Sequence, residues 1–359
     1  MTDFNYLPIF VLLRGKIVES IHYGAIAVVD VYGNLVANYG DPDVVTFLRS
    51  TAKPFQALPF LEHGGEDLYH LSLREIAIMC ASHSGTDEHV SVVQGFQKKT
   101  GVVETDLLCG VHEPMHKPTA EALHESGEQF TSNRHNCSGK HTGMLAFVNQ
   151  RKRSGESSAD SLLYIDPLHP IQQAILQTFA EMCNLPIDHV EVGIDGCSAP
   201  NFAVPLRNTA LAFARLCDPE TGGVMPAERA AACRRITLAM TENPDIVGGP
   251  GRFDTRLMET GRGRIVSKGG AEGFHGIGLM PGTLGPASPA VGIALKISDG
   301  DHRKTVIDAV TLEALQQLGV LTEGEVNSLS EFGPHFNIFN WRQVVVGDAH
   351  PAFALQRVK

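Results

Sequence analysis

The sequence has no excess of positive charge. It contains 29 lysines and arginines against 40 aspartates and glutamates, a formal net charge of −11 over 359 residues. Proteins that bind nucleic acid or an anionic membrane present a basic face to the phosphates. The short basic run 151–153 is too small to form such a face, and we interpret it as a solvated loop. The composition therefore argues against nucleic acid and against membranes as partners.

Long apolar segments are also absent. No run of apolar residues is long enough to span a bilayer. Asp3 stands where a secretory signal would carry basic residues, and no long apolar core follows it. The seven cysteines are an odd number at irregular spacing, which is typical of reduced thiols rather than of a disulfide framework. We therefore expect a cytoplasmic protein.

Strand patterns lie at both ends of the chain, and helical patterns fill the middle. Residues 25–30 and 35–39 form a predicted hairpin, and apolar strand patterns return after residue 264. Between them Ser72 and Glu75 make a capping box, and a further helix is predicted over 202–217. This distribution predicts an α+β fold in which an antiparallel sheet, built from both termini, is flanked by helices.

We expect the whole chain, 1–359, to form a single domain. The sheet-forming parts are predicted at about 1–45 and 260–359, and the mostly helical middle region at about 46–259.

Ser50 and Lys53 are the first candidate catalytic residues. They lie three positions apart at the start of a predicted helix, a spacing that places both side chains on one helix face. A lysine with a lowered pKa can take the proton of a serine nucleophile, as in the Ser-Lys hydrolases. The simpler alternative is a helix N-cap serine followed by a solvated lysine.

Two later motifs favour the catalytic interpretation. In the loop 81–85, Ser82 or Ser84 is placed to relay a proton to the leaving amine, while His83 is a competing candidate for the base. At 267–270, glycines follow Lys268, and Gly270 lets a backbone approach a substrate closely.

We expect Lys268 to lower the pKa of Lys53 by like-charge repulsion. Backbone amides near Ser50 and Gly270 are the expected donors to the oxyanion.

Cys137 and Cys197 differ from the other cysteines because they stand in polar, glycine-containing loops. Two such thiols with a third ligand are typical of zinc sites. His135 and His141 are the conventional third ligands, whereas Lys140 must lose its proton to coordinate a metal, which costs affinity at neutral pH. A disulfide between the two cysteines is disfavoured in a cytosol.

A glycine-rich loop at 248–251 precedes Arg252. Its guanidinium is a candidate ligand for a substrate carboxylate, and Arg49 is the rival candidate. The alternative is a simple connection after the end of a helix.

The motifs taken together resemble those of the Rhizobium-type L-asparaginases, class 3 of these enzymes, also called the asparaginase II family. The resemblance covers nearly the whole chain. The matching stretches are Arg49-Ser50-Thr51-Ala52-Lys53-Pro54, Cys80-Ala81-Ser82-His83-Ser84-Gly85, His135-Asn136-Cys137-Ser138-Gly139-Lys140-His141, Asp195-Gly196-Cys197-Ser198-Ala199-Pro200 and Ser267-Lys268-Gly269-Gly270.

This resemblance implies a fold like that of serine β-lactamases and glutaminases, a homodimer, and hydrolysis of L-asparagine to L-aspartate and ammonia. Asp195, two residues before Cys197, is a candidate to hydrogen-bond a metal ligand or to bind the substrate amine. The implied catalytic pairs are Ser50 with Lys53 and Ser82 with Lys268. The implied zinc ligands are Cys137, Lys140 and Cys197, with water as a fourth ligand. A glutaminase, a β-lactam hydrolase and a non-enzymatic zinc-binding protein are the rival interpretations.

Overall fold

The computed structural model describes residues 5–155, 163–223, 225–302 and 305–358. In chain order the strands are β1 (Leu7–Arg14), β2 (Ile17–Asp30), β3 (Leu35–Tyr39), β4 (Val45–Phe47), β5 (Glu191–Ile194), β6 (Pro200–Pro205), β7 (Ile265–Gly269), β8 (Phe274–Leu279), β9 (Val291–Ile297), β10 (Phe336–Phe339), β11 (Val345–Pro351) and β12 (Gln356–Arg357).

Most of the helices lie between β4 and β7. They are α1 (Lys53–Glu62), α2 (Gly65–Tyr69), α3 (Leu73–Cys80), α4 (Asp87–Thr100), α5 (Lys117–Ser126), α6 (Ser138–Arg153), α7 (Pro170–Met182), α8 (Leu206–Cys217), α9 (Ala227–Glu242), α10 (Pro244–Val247), α11 (Phe253–Gly261), α12 (Val306–Gln317) and α13 (Glu323–Asn327).

The described residues divide into two compact units. The first contains those of Met1–Thr51, Val204–Gly223 and Thr260–Lys359. Its sheet has the strand order β10-β11-β1-β2-β9-β8-β7, with β3 paired to β2 and β12, and the neighbouring strands run antiparallel. Strands from both ends of the chain thus share one sheet, and the predicted α+β class is confirmed.

Helix α8 packs closely against one face of this sheet because glycines stand beneath it. A Cβ on Gly292 of β9 would lie 1.7 Å from the carbonyl oxygen of Ala210. A Cβ on Gly276 of β8 would lie 2.3 Å from the ring of Phe213. Since real Cβ atoms do not approach other atoms so closely, both positions must be glycine for α8 to pack on these strands.

The second unit contains the described residues of Ala52–Ala203 and Val224–Glu259 and is mostly helical. Helix α1 lies at its centre and packs against α3, α6, α7 and α9. Its residues from Lys53 to Leu61 are all buried, and Phe55 and Phe60 contact aromatic rings of the surrounding helices. The predicted capping box of Ser72 and Glu75 opens α3.

The helix predicted over 202–217 is wrong in its first turn. Residues Pro200–Pro205 form β6, and α8 begins at Leu206. Pro205 cannot donate a helical hydrogen bond and disfavours helical backbone at the residue before it, so the helix starts after it. Among the described residues no helix is long and apolar enough to cross a membrane. The single-domain assignment stays a prediction.

Candidate active site

The predicted site residues are distributed over both units. Those of the first unit are Arg49, Ser50, Lys268 and Gly270, and those of the second are Lys53, Ser82, Cys137, Lys140, Asp195, Cys197 and Arg252.

Lys53 is the first residue of α1, and its side chain is buried with an exposed fraction of 1%. Its ammonium donates to the Ala81 carbonyl oxygen at 2.5 Å, to Ser82 Oγ at 3.1 Å and to the Asn136 carbonyl oxygen at 3.1 Å. In the described part of the chain no carboxylate forms an ion pair with it. A buried lysine that contacts a serine hydroxyl is suited to exchange protons with it.

His83 lies next to Ser82, but both of its ring nitrogens are engaged. Ser138 Oγ donates to the Asn133 carbonyl oxygen at 2.9 Å, so it accepts the proton of His83 Nε2 at 2.9 Å. The other nitrogen, Nδ1, accepts the Gly85 N–H at 3.2 Å. His83 therefore offers no free lone pair to a serine hydroxyl, and the geometry favours Lys53 as the base.

The neutral state of His83 predicts a pH-dependent stability. Burial, followed by the charges of His89 and Lys53, holds the pKa of His83 well below its ordinary value. In the unfolded chain the imidazole titrates near pH 6.5, so below this pH the unfolded state binds more protons. We expect the free energy of unfolding to be insensitive to His83 above about pH 7. It should fall as the pH drops from about 6.5, by up to about 1.4 kcal/mol per pH unit.

Urea unfolding at several pH values from 7.5 to 5 measures this slope. His83→Asn is the matched variant, because its amide oxygen can still accept the Gly85 N–H but takes up no proton. We expect a shallower slope in the variant. An equal slope in both proteins would assign the pH dependence to other groups.

In the first unit, Lys268 lies on β7 opposite Gly276 of β8, and its side chain is fully buried. Its Nζ donates to the Gly269 carbonyl oxygen at 2.7 Å. Its own carbonyl oxygen accepts the Thr51 hydroxyl at 3.0 Å. This hydrogen bond joins β7, which carries Lys268, to Thr51, the residue directly after Ser50.

Gly270 is a point of close approach within the protein, and the approach of its backbone to a substrate stays a prediction. A Cβ there would lie 2.6 Å from the Leu48 carbonyl oxygen and 2.9 Å from Thr51 Oγ1. Its N–H, however, is donated to the Phe274 carbonyl oxygen at 2.8 Å. The oxyanion role of the Gly270 amide stays a prediction, and in this structure that N–H already has an acceptor.

Arg49 opens the 3-10 turn Arg49–Ala52 that contains Ser50 and leads into α1. Its φ of 54° lies in the left-handed region, which is unfavourable for a side chain other than glycine. The guanidinium lies 3.7 Å from the Glu272 carboxylate. If the Arg49 guanidinium bound a substrate carboxylate, it would interact with the Glu272 carboxylate at the same time.

The predicted zinc ligands Cys137, Lys140 and Cys197 are called the thiol site below. Two of them, Cys137 and Lys140, lie at the start of α6. The helix begins at Ser138, and Gly139 packs so tightly on α3 that a Cβ would lie 2.2 Å from the Ile78 carbonyl oxygen. Cys197 enters from the turn between β5 and β6, and Lys140 Nζ donates to its sulfur at 3.0 Å. The structure therefore brings this predicted trio together in a buried site.

The charges of the trio are coupled. A hydrogen bond with the Cys197 thiol, together with the charges of Lys53 and Lys140, holds the pKa of Cys137 well below its ordinary value despite burial. The same hydrogen bond and burial raise the pKa of Cys197. Burial disfavours the Lys140 ammonium, but attraction to both cysteines raises its pKa overall. A positive charge on Lys140 and a negative charge on the cysteine sulfurs therefore stabilise each other at this site.

This donor set fits zinc. When Cys197 and Lys140 release their protons, two thiolates and a neutral amine remain, which are acceptable zinc ligands. Within the described ranges no three His, Cys, Asp or Glu side chains converge to hold a metal. A metal at this site would therefore need Lys140.

His141 is a poor alternative to Lys140 as third ligand, because among the described residues it does not converge with Cys137 and Cys197 into a group that could hold a metal. Its Nδ1 lies 2.7 Å from the Tyr164 hydroxyl, which also accepts the Leu108 N–H at 2.8 Å. Its Nε2 is buried.

The remaining candidate, Arg252, lies in the loop after α10. Its guanidinium contacts the sulfur of Met115 at 3.5 Å, and within the described chain no acidic side chain pairs with it. The loop is tied to the serine loop, because Ser84 Oγ donates to the Gly248 carbonyl oxygen at 2.8 Å and Ser82 N–H to the Val247 carbonyl oxygen at 3.0 Å. Arg252 therefore keeps its charge available for a carboxylate ligand in this unit.

Comparison with known protein families gives a match to the model of L-asparaginase II over residues 10–351. The chain belongs to the L-asparaginase II family. It is accordingly an amidohydrolase, and the predicted family is confirmed.

Among curated proteins no sequence matches the chain. Its structure is similar to solved glutaminases, but distantly. A Bacillus subtilis glutaminase bound covalently to 5-oxo-L-norleucine is 12% identical over 78% of this chain and 81% of its own, with a TM-score of 0.34. A second Bacillus glutaminase is 11% identical over 78% and 84%, with a TM-score of 0.31. The protein Mglu, with tris and glutamate, is 15% identical over 83% and 60%, with a TM-score of 0.35.

In this amidohydrolase two residues around the site were missed by sequence reasoning. Cys109 is buried, and its pKa is raised to about 12 by burial and by the nearby Cys137 and Cys197. His112 accepts the N–H of Asn136, the residue before Cys137. Both belong to an irregular segment in which Gly110 and Pro114 were the only local signals, and such signals mark a loop without locating it in space.

Proposed function

We propose that this amidohydrolase hydrolyses L-asparagine to L-aspartate and ammonia through an acyl-enzyme on Ser50. The observation that carries the proposal is that the Lys53 side chain, three residues after Ser50, is buried and that its Nζ is hydrogen-bonded to Ser82 Oγ, in a member of the L-asparaginase II family. A nucleophile activated by a neighbouring lysine accounts for amide hydrolysis without a histidine base.

In the first step Ser50 Oγ bonds to the side-chain carbonyl carbon of asparagine, and neutral Lys53 takes the hydroxyl proton. The backbone N–H of Ser50, and an amide near Gly270, donate to the oxyanion. The C–N bond then breaks, and the proton returns through Lys53 and Ser82 to the departing ammonia. Water next attacks the aspartyl ester, releasing L-aspartate and restoring the Ser50 hydroxyl.

Lys268 is proposed as the partner of Ser82 in protonating the leaving group, on the resemblance described above. Arg252 is proposed to bind the substrate carboxylate, since no acidic side chain of the described residues pairs with it. Asp195 is proposed to bind the substrate amine or to support the thiol site, where its charge contributes to the raised pKa of Lys140 after burial and the two cysteines. Arg49 remains the rival carboxylate ligand.

We further propose that zinc is held by Cys137, Lys140 and Cys197. When bound it supplies positive charge and Lewis acidity in the second unit. Lys140 and Cys197 each give up a proton for coordination, so the affinity should increase with pH.

Metal content tests this assignment. Zinc per chain, measured by plasma mass spectrometry after dialysis against free chelator, should be near one in the wild type and near zero in Cys197→Ala. Cys109→Ala is the matched control, because Cys109 is also a buried cysteine near the trio. Loss of zinc in the control, or its retention in Cys197→Ala, would contradict the proposed ligands.

The substrate is tested by ammonia release from L-asparagine and L-glutamine. A pocket that fits asparagine should disfavour the extra methylene of glutamine by about 1–3 kcal/mol in kcat/KM. A higher kcat/KM for glutamine would make the protein a glutaminase. No release from either amide would overturn the proposal, and turnover of nitrocefin would then indicate a β-lactam hydrolase.

We also propose that the enzyme is a cytoplasmic homodimer. The support is the family resemblance for the dimer and the odd, irregularly spaced cysteines for a reducing compartment, all of the described ones being free thiols. Sedimentation of the purified chain tests the dimer.

A further inference from the structure

The segment 109–116, which precedes α5, contacts several of the site residues of the second unit. The His116 N–H donates to the Ser84 carbonyl oxygen at 2.9 Å, and the Met115 sulfur contacts the Arg252 guanidinium. A third contact runs from His112 to the backbone of Asn136. Because the segment has no helix or strand, its position depends on hydrogen bonds and side-chain contacts of this kind.

The ring of His112 is fixed through both nitrogens. Nε2 accepts the Asn136 N–H at 3.1 Å, so the proton lies on Nδ1, which is 2.6 Å from the Glu113 carbonyl oxygen and donates to it. The ring centroid lies 4.2 Å from that of His135. His112 is thus an oriented acceptor and a packing surface for its neighbour.

Asn136 connects this arrangement to Lys53. Its carbonyl oxygen accepts the Lys53 ammonium at 3.1 Å. The peptide that contains this carbonyl also contains the Cys137 N–H, which donates to His135 Nδ1 at 3.0 Å. Since the peptide is planar, that bond fixes the direction of the carbonyl, while His112 holds the preceding N–H and packs on the His135 ring.

We propose that His112 is a positioning residue for Lys53, acting through the backbone of Asn136. The proposal rests on the proposed function, in which Lys53 takes the proton of Ser50. Without His112 the Asn136 N–H loses its acceptor and the His135 ring loses a packing surface, so the carbonyl to which Lys53 donates is held less firmly. A displacement of about 1 Å at a catalytic group can lower the rate roughly 100-fold.

The test compares three substitutions of His112. His112→Gln keeps an acceptor near the position of Nε2, whereas His112→Leu removes it and His112→Asn is too short to reach it. We expect kcat for asparagine to fall roughly 10- to 100-fold in the leucine and asparagine variants, with KM changed less than about twofold, and to be largely restored by glutamine. His124→Leu, an exposed histidine that pairs with Glu113, is the control and should keep the wild-type kcat.

A second readout separates this proposal from the proposed substrate. The rate at which a fluorophosphonate modifies Ser50 depends on removal of the serine proton but not on asparagine. It should fall in His112→Leu and recover in His112→Gln. Wild-type labelling rates in His112→Leu and His112→Asn would overturn the positioning role. Wild-type protein that is labelled but releases no ammonia from asparagine would overturn only the substrate assignment.

Discussion

Replacement of Ser50 by alanine is expected to lower ammonia release from asparagine by roughly four orders of magnitude, the scale seen when the nucleophile of an acyl-enzyme mechanism is removed. The alanine variant keeps the 3-10 turn Arg49–Ala52, since that turn is closed by the backbone bond from Thr51 N–H to the Leu48 carbonyl oxygen. Thermal unfolding should therefore change little. Steady-state kinetics and a melting curve measure the two effects.

The acyl-enzyme itself distinguishes the roles of the two serines. After rapid acid quench, the wild-type peptide containing Ser50 should carry the mass of an aspartyl ester, and Ser50→Ala should carry none. Ser82→Ala should be slow but still acylated, because Ser82 is proposed to relay protons and not to attack. Ser126→Ala, a change at an exposed position at the end of α5, is the control and should behave as wild type. Turnover that survives in Ser50→Ala would move the nucleophile to Ser82 or to a water molecule.

Replacement of Lys53 by methionine is expected to lower kcat by roughly 10³-fold, because Lys53 is the proposed base and the rival base His83 has both ring nitrogens engaged. Methionine fills the same buried volume at the start of α1. It removes a buried charge but leaves acceptors at Ala81, Ser82 and Asn136 unpaired, at a cost of about 1–3 kcal/mol per fully buried group. We therefore expect a modest loss of thermal stability.

Lys53→Arg separates charge from proton transfer. The guanidinium keeps the positive charge but does not give up its proton near neutral pH. If Lys53 acts as the base, the arginine variant should be as inactive as the methionine variant. An arginine variant with substantial activity would show that the residue supplies only charge. Lys98→Met, at an exposed position on α4, is the matched control for loss of a lysine and should retain wild-type kinetics.

The contacts around Lys53 show why the sequence could identify the residue but not its burial or its hydrogen-bond partners. The Ser-Lys spacing and the helix start were local signals, and α1 does begin at Lys53. The burial of Lys53 depends on α1 being surrounded by α3, α6, α7 and α9, which come from distant parts of the chain. The hydrogen bond from Lys53 to Ser82 joins residues 29 apart. The sequence predicted a proton relay between Lys53 and the leaving amine by Ser82 or Ser84, but it could not say which of the two serines Lys53 contacts.

The thiol site, too, was predicted from the sequence only in part. Two cysteines in polar loops predicted a site, but left Lys140, His135 and His141 open as third ligand. The contact of Lys140 with Cys197, and the absence among the described residues of a third His, Cys, Asp or Glu that converges with the two cysteines, are tertiary facts that favour lysine. No local pattern reports which side chains converge, because they come from distant parts of the chain.

The sequence by itself determined the fold class, the family and the residue types of the site. Alternation and apolar periodicity are short-range properties, and the motifs are contiguous, so both can be read along the chain. Only the tertiary structure decided that β6 precedes α8, that His83 has no free lone pair, and that the 109–116 segment reaches Asn136. These depend on hydrogen bonds and close packing between segments far apart in sequence, and each of those bonds forms only once the helices and strands have packed.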